Sequence, residues 1–168
     1  MGWEIIKMTN KKIVAASGYF DPLHSGHINY LKEAKKLGDK LIVIVNNDKQ
    51  AALKKGHSFM SQNERLEIVK AIKYVDEGFL SIDKNRTIIK SLIKIKPDIF
   101  AVGADYSKHM LAEKEICDKL GIKIVDRLAK RFLIHPKFKQ SSSKILNAYL
   151  EKELKAHSIC NSCRRKLR

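Results

Sequence analysis

The stretch of this 168-residue chain richest in chemistry is Gly18-Tyr19-Phe20-Asp21-Pro22-Leu23-His24-Ser25-Gly26-His27. Two imidazoles three residues apart at a helix start point to the same side, where free N–H groups and the helix dipole favour an anion. Gly26 lets a phosphate approach the main chain, and Gly18 leaves the strand end bare for the base or ribose of a nucleotide. The stretch is not a Walker loop, because no Gly-Lys-Ser/Thr follows, and it is not the dinucleotide G-x-G-x-x-G.

These residues need a frame, and the apolar pattern supplies one. Lys12 to Ser17 is a short apolar run, and His27 to Leu37 an amphipathic stretch stopped by Gly38-Asp39. Lys40 to Val45 is a β-branched run of the kind buried on both faces of a parallel sheet. Asn46 to Met60 is polar and reads as a connection, and Ser61 with Glu64 three residues on makes a capping-box start for a helix through Ile72. Then follow a strand at Phe79–Ile82, a helix at about Thr87–Lys94, a strand at Ile99–Val102, a helix at Leu111–Leu120 closed by Gly121, and a strand at Ile122–Val125. Ser141–Leu154 reads as a last helix. The alternation predicts an α/β fold, a Rossmann-like three-layer sandwich with a five-stranded, mostly parallel sheet. One domain is expected over residues 1–154, with a basic tail over 155–168. In such sheets ligands bind at the carboxyl ends of the strands where the winding reverses. The loops after strands one and four and the start of the last helix are therefore expected to meet there.

Composition narrows the partners. Lys+Arg 34 against Asp+Glu 18 gives +16, which attracts polyanions wherever the charge clusters. The 44% apolar content is enough for a core and argues against disorder. No apolar run is long enough for a membrane helix and no signal-peptide pattern opens the chain, so a cytoplasmic protein without membrane contact is expected. Cys117 reads as a small buried hydrophobe, and His157, Cys160 and Cys163 as half of a metal site at most, so no protein-held metal is expected.

Five ordered motifs resemble one family. Gly18-Tyr19-Phe20-Asp21-x-x-His24-x-Gly26-His27 is similar to the H-x-G-H signature of the cytidylyltransferase-like nucleotidyltransferases. Lys54-Lys55 sits where that family keeps phosphate-binding lysines, and Glu64-Arg65 with Tyr74-Val75-Asp76-Glu77 resembles its E-x-R and Y-V-D-E stretch. Gly103-Ala104-Asp105 resembles its loop after strand four, and Ser141-Ser142-Ser143-Lys144-Ile145 its final serine motif.

The resemblance implies transfer of a nucleoside monophosphate from CTP or ATP to a phosphorylated small alcohol or sugar, with release of pyrophosphate and Mg2+ on the triphosphate. It implies catalytic roles for His24, His27 and Lys54, and nucleotide contacts from Gly18, Tyr19, Phe20, Gly26, Asp105, Ser142 and Ser143. Asp21, Lys55 and Arg65 are the expected acceptor-binding residues. A homodimer is implied as well, and nucleic acid is not an expected partner. For Lys54 and Lys55 a solvated pair is the competing reading, for the serines a plain helix cap, and for Arg65 an ion pair on its own helix. The alternative for the whole chain is a non-catalytic nucleic-acid or phospholigand binder on the same fold.

The chain departs from the glycerol-phosphate and choline-phosphate branches, which carry R-T-E-G-I-S before the final serines. Arg131–Gln140 stands there instead. Lys139–Ser143 and Gly103–Tyr106 look more like the branch that adenylylates heptose phosphates, which leaves the base open. Sugar 1-phosphates and polyol phosphates fit a pocket lined by Asp21, Lys54 and Arg65. A flavin mononucleotide acceptor, used by an archaeal branch, needs a larger apolar slot that the sequence does not display.

Overall fold

The computed structural model describes residues 11–103, 110–128, 146–153 and 155. Five strands are present: β1 (Ile13–Gly18), β2 (Lys40–Val45), β3 (Glu77–Leu80), β4 (Ile99–Ala101) and β5 (Lys123–Val125). Between them lie α1 (Ser25–Lys35), α2 (Asp48–Lys55), α3 (Gln62–Lys70), α4 (Ile89–Ile95) and α5 (Leu111–Leu120), and residues 146–153 are helical. All neighbouring strands pair in parallel, in the order β3-β2-β1-β4-β5. The fold is the expected Rossmann-like α/β sandwich.

Alternation along β1 builds the layers. Val14 and Ala16 face one core with Tyr30, Leu31 and Ala34 of α1 and Val69 of α3. Ala15 faces the other, with Leu92 of α4 and Cys117 of α5. Central β2 is buried from Leu41 to Val45, which explains its unbroken apolar run. Cys117 is the buried small hydrophobe expected, and burial pushes its thiol pKa up to about 11.

Two expectations shift. The polar stretch Asn46–Met60 holds a helix, α2, whose buried residues are Gln50 and Ala51, so no apolar stripe announces it. Strand β3 begins earlier than expected, at Glu77, because it is an edge strand whose Glu77 pairs with Lys40 of β2 at 2.6 Å. Asp76, just before it, accepts from the Leu41 amide at 2.6 Å and ties that edge to the start of β2.

The winding reverses at β1, which is flanked by β2 on one side and β4 on the other. The Tyr30 hydroxyl bridges β1 and β4 at their carboxyl ends, donating to the Ala101 carbonyl at 2.7 Å and accepting from the Ser17 amide at 3.1 Å. The β1–α1 loop leaves the sheet at this point. Among the described residues no helix is long and apolar enough to cross a membrane.

Candidate active site

His24 is the N-cap of α1 and His27 lies in its first turn. Their rings stack with centroids 3.8 Å apart and planes 25° from parallel, so the spacing does put both imidazoles on one side. The His24 amide donates to His27 Nδ1 at 3.3 Å. A neutral imidazole that accepts at Nδ1 carries its proton on Nε2, so His27 presents an Nε2–H donor. Burial, then His24, Lys55 and Lys54, push the His27 pKa down to about 3. Burial also lowers that of His24. Among the described residues His24 Nδ1 is buried without a hydrogen-bond partner, a costly state that a bound donor or acceptor would relieve.

The loop that carries them packs on itself. A Cβ on Gly18 would lie 2.9 Å from the Phe20 ring, and one on Gly26 would lie 3.0 Å from the His24 imidazole. Both glycines therefore make room for side chains of their own loop. Phe20, expected at the nucleotide, is 1% exposed and belongs to the core. Its backbone takes φ 51° and its ring meets His27 edge-on at 5.0 Å, so it positions the imidazole from below.

Two expected acceptor ligands are instead consumed by main chain. Asp21 is fully buried, accepting from the Phe59 amide at 3.0 Å and the Met60 amide at 2.9 Å. Arg65 is also fully buried. Its guanidinium donates to the carbonyls of Met60 at 3.1 Å, Tyr19 at 2.7 Å and Asn46 at 2.6 Å, and to Asp48 at 2.7 Å. A fork with so many fixed partners is a clamp, and it leaves no face for a phosphate. The ion pair runs to α2 and not to its own helix.

The adjacent lysines end α2, where a loop was expected, and they divide. Lys55 Nζ donates to the Asp21 carbonyl at 2.6 Å and lies 3.5 Å from its carboxylate, which draws it into the clamp. Lys54 Nζ lies 4.3 Å from the centroid of the Tyr19 ring. Partial burial, Lys55 and Arg86 together hold the Lys54 pKa below the ordinary lysine value. Tyr19 is thus at the site through its ring, and burial raises its own pKa although Arg86 opposes the shift.

The residues that sequence reasoning passed over bind the next loop. Asn47 and Gln50 form a capping box at the start of α2, and the N-x-x-Q spacing was the readable signal. Asn47 Nδ2 donates to the carbonyls of Ser81 at 3.0 Å and Asp83 at 2.8 Å. Gln50 Nε2 donates to those of Asn85 at 2.8 Å and Thr87 at 2.7 Å. Arg86 stands between these last two, exposed, and had no signal in the sequence.

Asp105, Ser142 and Ser143 lie outside the described residues, as do His157, Cys160 and Cys163. Among the described residues no group of three His, Cys, Asp or Glu side chains could hold a metal ion. A protein-built Mg2+ cage therefore does not fit these residues, whereas one carried by a triphosphate needs none.

The cytidylyltransferase-like family matches residues 15–148. A FAD synthase of Methanobrevibacter smithii is 36% identical over 155 residues, covering 90% of this chain and 99% of that protein. The bifunctional protein HldE of Desulfatibacillum aliphaticivorans is 35% identical over 124 residues, covering 73% of this chain but 25% of that longer protein. A crystal structure described as a lipopolysaccharide core biosynthesis protein of Thermoplasma volcanium superposes with a TM-score of 0.60 at 38% identity, covering 69% of this chain and 95% of that one. With the paired imidazoles at the switch point of its sheet, the chain belongs to the cytidylyltransferase-like family and is an enzyme of nucleotidyl transfer.

Proposed function

We propose that the chain is an adenylyltransferase that uses ATP, with flavin mononucleotide as the acceptor and FAD and pyrophosphate as products. The observation that carries the reading is the stacked His24–His27 pair with an Nε2–H donor fixed on His27, beside Lys54. The FAD synthase relative that the chain spans almost end to end supports the base and the acceptor. Leu53 and Phe59 are 53% and 57% exposed, on α2 and on the segment that Asp21 holds, and offer the apolar surface a flat ring system needs.

In this reading an oxygen of the acceptor phosphate attacks the α-phosphorus of ATP, and the bond from that phosphorus to the bridging β-oxygen breaks. The electron pair leaves with pyrophosphate. A phosphate monoester needs no base to become a nucleophile, so the protein's work is alignment and charge stabilisation. His27 and His24 donate to the oxygens on which charge builds, and Lys54 neutralises the meeting of two anions. Mg2+ comes with the triphosphate. Ser142, Ser143 and Asp105 take the nucleotide contacts that the family resemblance implies, and a cytoplasmic homodimer is part of the same reading, checked by sedimentation.

The experiment is pyrophosphate release with Mg2+, offering ATP and CTP in turn with flavin mononucleotide, glycerol 3-phosphate and sugar 1-phosphates. Release that requires ATP and flavin mononucleotide together is expected. Release with another pair would keep the reaction class and replace the substrates.

A further inference from the structure

Arg86 is the exposed product of a carefully fastened loop. The segment from Ser81 to Thr87 joins β3 to α4, and its carbonyls at Ser81, Asp83, Asn85 and Thr87 all accept from the side chains of Asn47 and Gln50 on the α2 side. Its far end is fixed by Asp83, which is 2% exposed and accepts from the Ser91 hydroxyl at 2.6 Å and the Lys90 amide at 2.8 Å. Gln50 is completely buried and spends both amide hydrogens on the two residues that flank Arg86. Such anchoring holds the backbone of an exposed arginine in place before any ligand arrives.

The loop so held sets Arg86 beside α2, where its charge opposes the rise of the Tyr19 pKa, and Lys54 of the same helix lies 4.3 Å from the centroid of the Tyr19 ring. Two cations thus bear on one tyrosine, and among the described residues no carboxylate forms an ion pair with either. Arg86 adds to the burial and the Lys55 charge that hold the Lys54 pKa down. A like-charge pair without a counter-ion is a local conflict of the kind that persists where an anion completes it.

Topology says which anion. Lys54 and Arg86 come from the segments after β2 and β3, on one side of β1, whereas the nucleotide contacts implied at Asp105 follow β4 on the other. We propose that Arg86 binds the phosphate of the acceptor substrate, together with Lys54 and across the Tyr19 ring, in the role that Arg65 is too buried to fill. The inference rests on the nucleotidyltransferase reading above and deepens it: the acceptor is a phosphate monoester, and the β3–α4 loop selects for its charge.

The test compares Arg86→Ala and Arg86→Lys with the natural protein in binding flavin mononucleotide, riboflavin and ATP, by flavin fluorescence and calorimetry. Lys84→Ala, an exposed lysine of the same loop, is the control. The natural protein is expected to prefer flavin mononucleotide to riboflavin, and Arg86→Ala to weaken flavin mononucleotide by about 10- to 100-fold, the worth of a charge-assisted contact. Riboflavin and ATP binding stay within about twofold, a lysine at 86 restores part of the loss, and Lys84→Ala changes nothing. Retention of the preference by Arg86→Ala, or a loss that falls on ATP instead, overturns the assignment and leaves the reaction standing. If flavin mononucleotide is not bound, the acceptor named above is wrong. The same comparison is then made with whichever phosphorylated acceptor supports pyrophosphate release and its dephosphorylated form, and a preference lost in Arg86→Ala still upholds Arg86. Failure of every phosphorylated acceptor overturns both.

Discussion

Arg65 and Arg86 both act on Tyr19 and do opposite work. Arg65 donates to the Tyr19 carbonyl from a fully buried position where its other donors fix Met60, Asn46 and Asp48. Arg86 is exposed and opposes the rise of the Tyr19 pKa, and Lys54 lies over the ring. The inner region, Arg65 with Asp21 and Lys55, is saturated with partners and fixes the β1–α1 loop to the segment before α3. The outer region, the two histidines with Lys54 and Arg86, keeps donors and charge in reserve. In a chain this basic, a cation near a ligand site is therefore informative only once its partners are known.

The largest effect should come from breaking the inner region. Arg65→Ala leaves three carbonyls without their donor and a cavity between four segments, and should cost about 3–5 kcal/mol in denaturant unfolding. Arg65→Lys should recover little, because an ammonium cannot span the same fork. If Arg65→Ala were stable and lost only acceptor affinity, the division drawn here would be wrong.

His24→Ala and His27→Ala sharpen the outer region. Each should lower turnover by about 10²- to 10³-fold, the usual cost of one preorganised donor, with circular dichroism and melting temperature little changed. Near-normal turnover in both would remove them from the chemistry. The adjacent lysines should then separate by kind. Lys54→Ala should reduce kcat/KM about tenfold at unaltered stability, and Lys55→Ala should lower stability by about 1 kcal/mol with a smaller kinetic effect.

A pH dependence comes last because it is nil at neutral pH and appears only in acid. The His27 pKa of about 3 in the folded protein lies below its value near 6.5 in an unfolded chain. Between these values the unfolded chain binds a proton that the folded one refuses. The stability associated with a neutral His27 is complete above about pH 6.5 and is lost as the pH falls toward 3. Asp48 and Asp76, whose pKa values are lowered, also titrate in acid, so the useful quantity is the difference from His27→Gln. That variant should show a shallower acid loss over this window in urea midpoints, and an identical slope would count against the buried neutral imidazole.

The central strands and their order of chemistry were legible because burial on both faces forces unbroken apolar runs such as Leu41–Val45. The imidazole pair was legible because i and i+3 on a helix share a side. Helix α2 was not, since its buried side chains are Gln50 and Ala51 and it displays no periodic stripe. Asp21 and Arg65 were read as ligands because residue type reveals the capacity to bind, not the partner. Their partners lie far along the chain, the amides of Phe59 and Met60 for one and the carbonyls of Tyr19 and Asn46 for the other. Arg86 was invisible for the converse reason: what makes it matter is the fastening of its neighbours by Gln50, a contact only the folded chain creates.

Nucleotidyl transfer to an acceptor phosphate is tested most directly by pyrophosphate release by the purified protein in Mg2+ with ATP and flavin mononucleotide, each also omitted in turn. The predicted result is release that needs both substrates, yields FAD in equal amount and falls at least about a hundredfold in His27→Ala. Release that proceeds without any acceptor, or that survives His27→Ala undiminished, would contradict it.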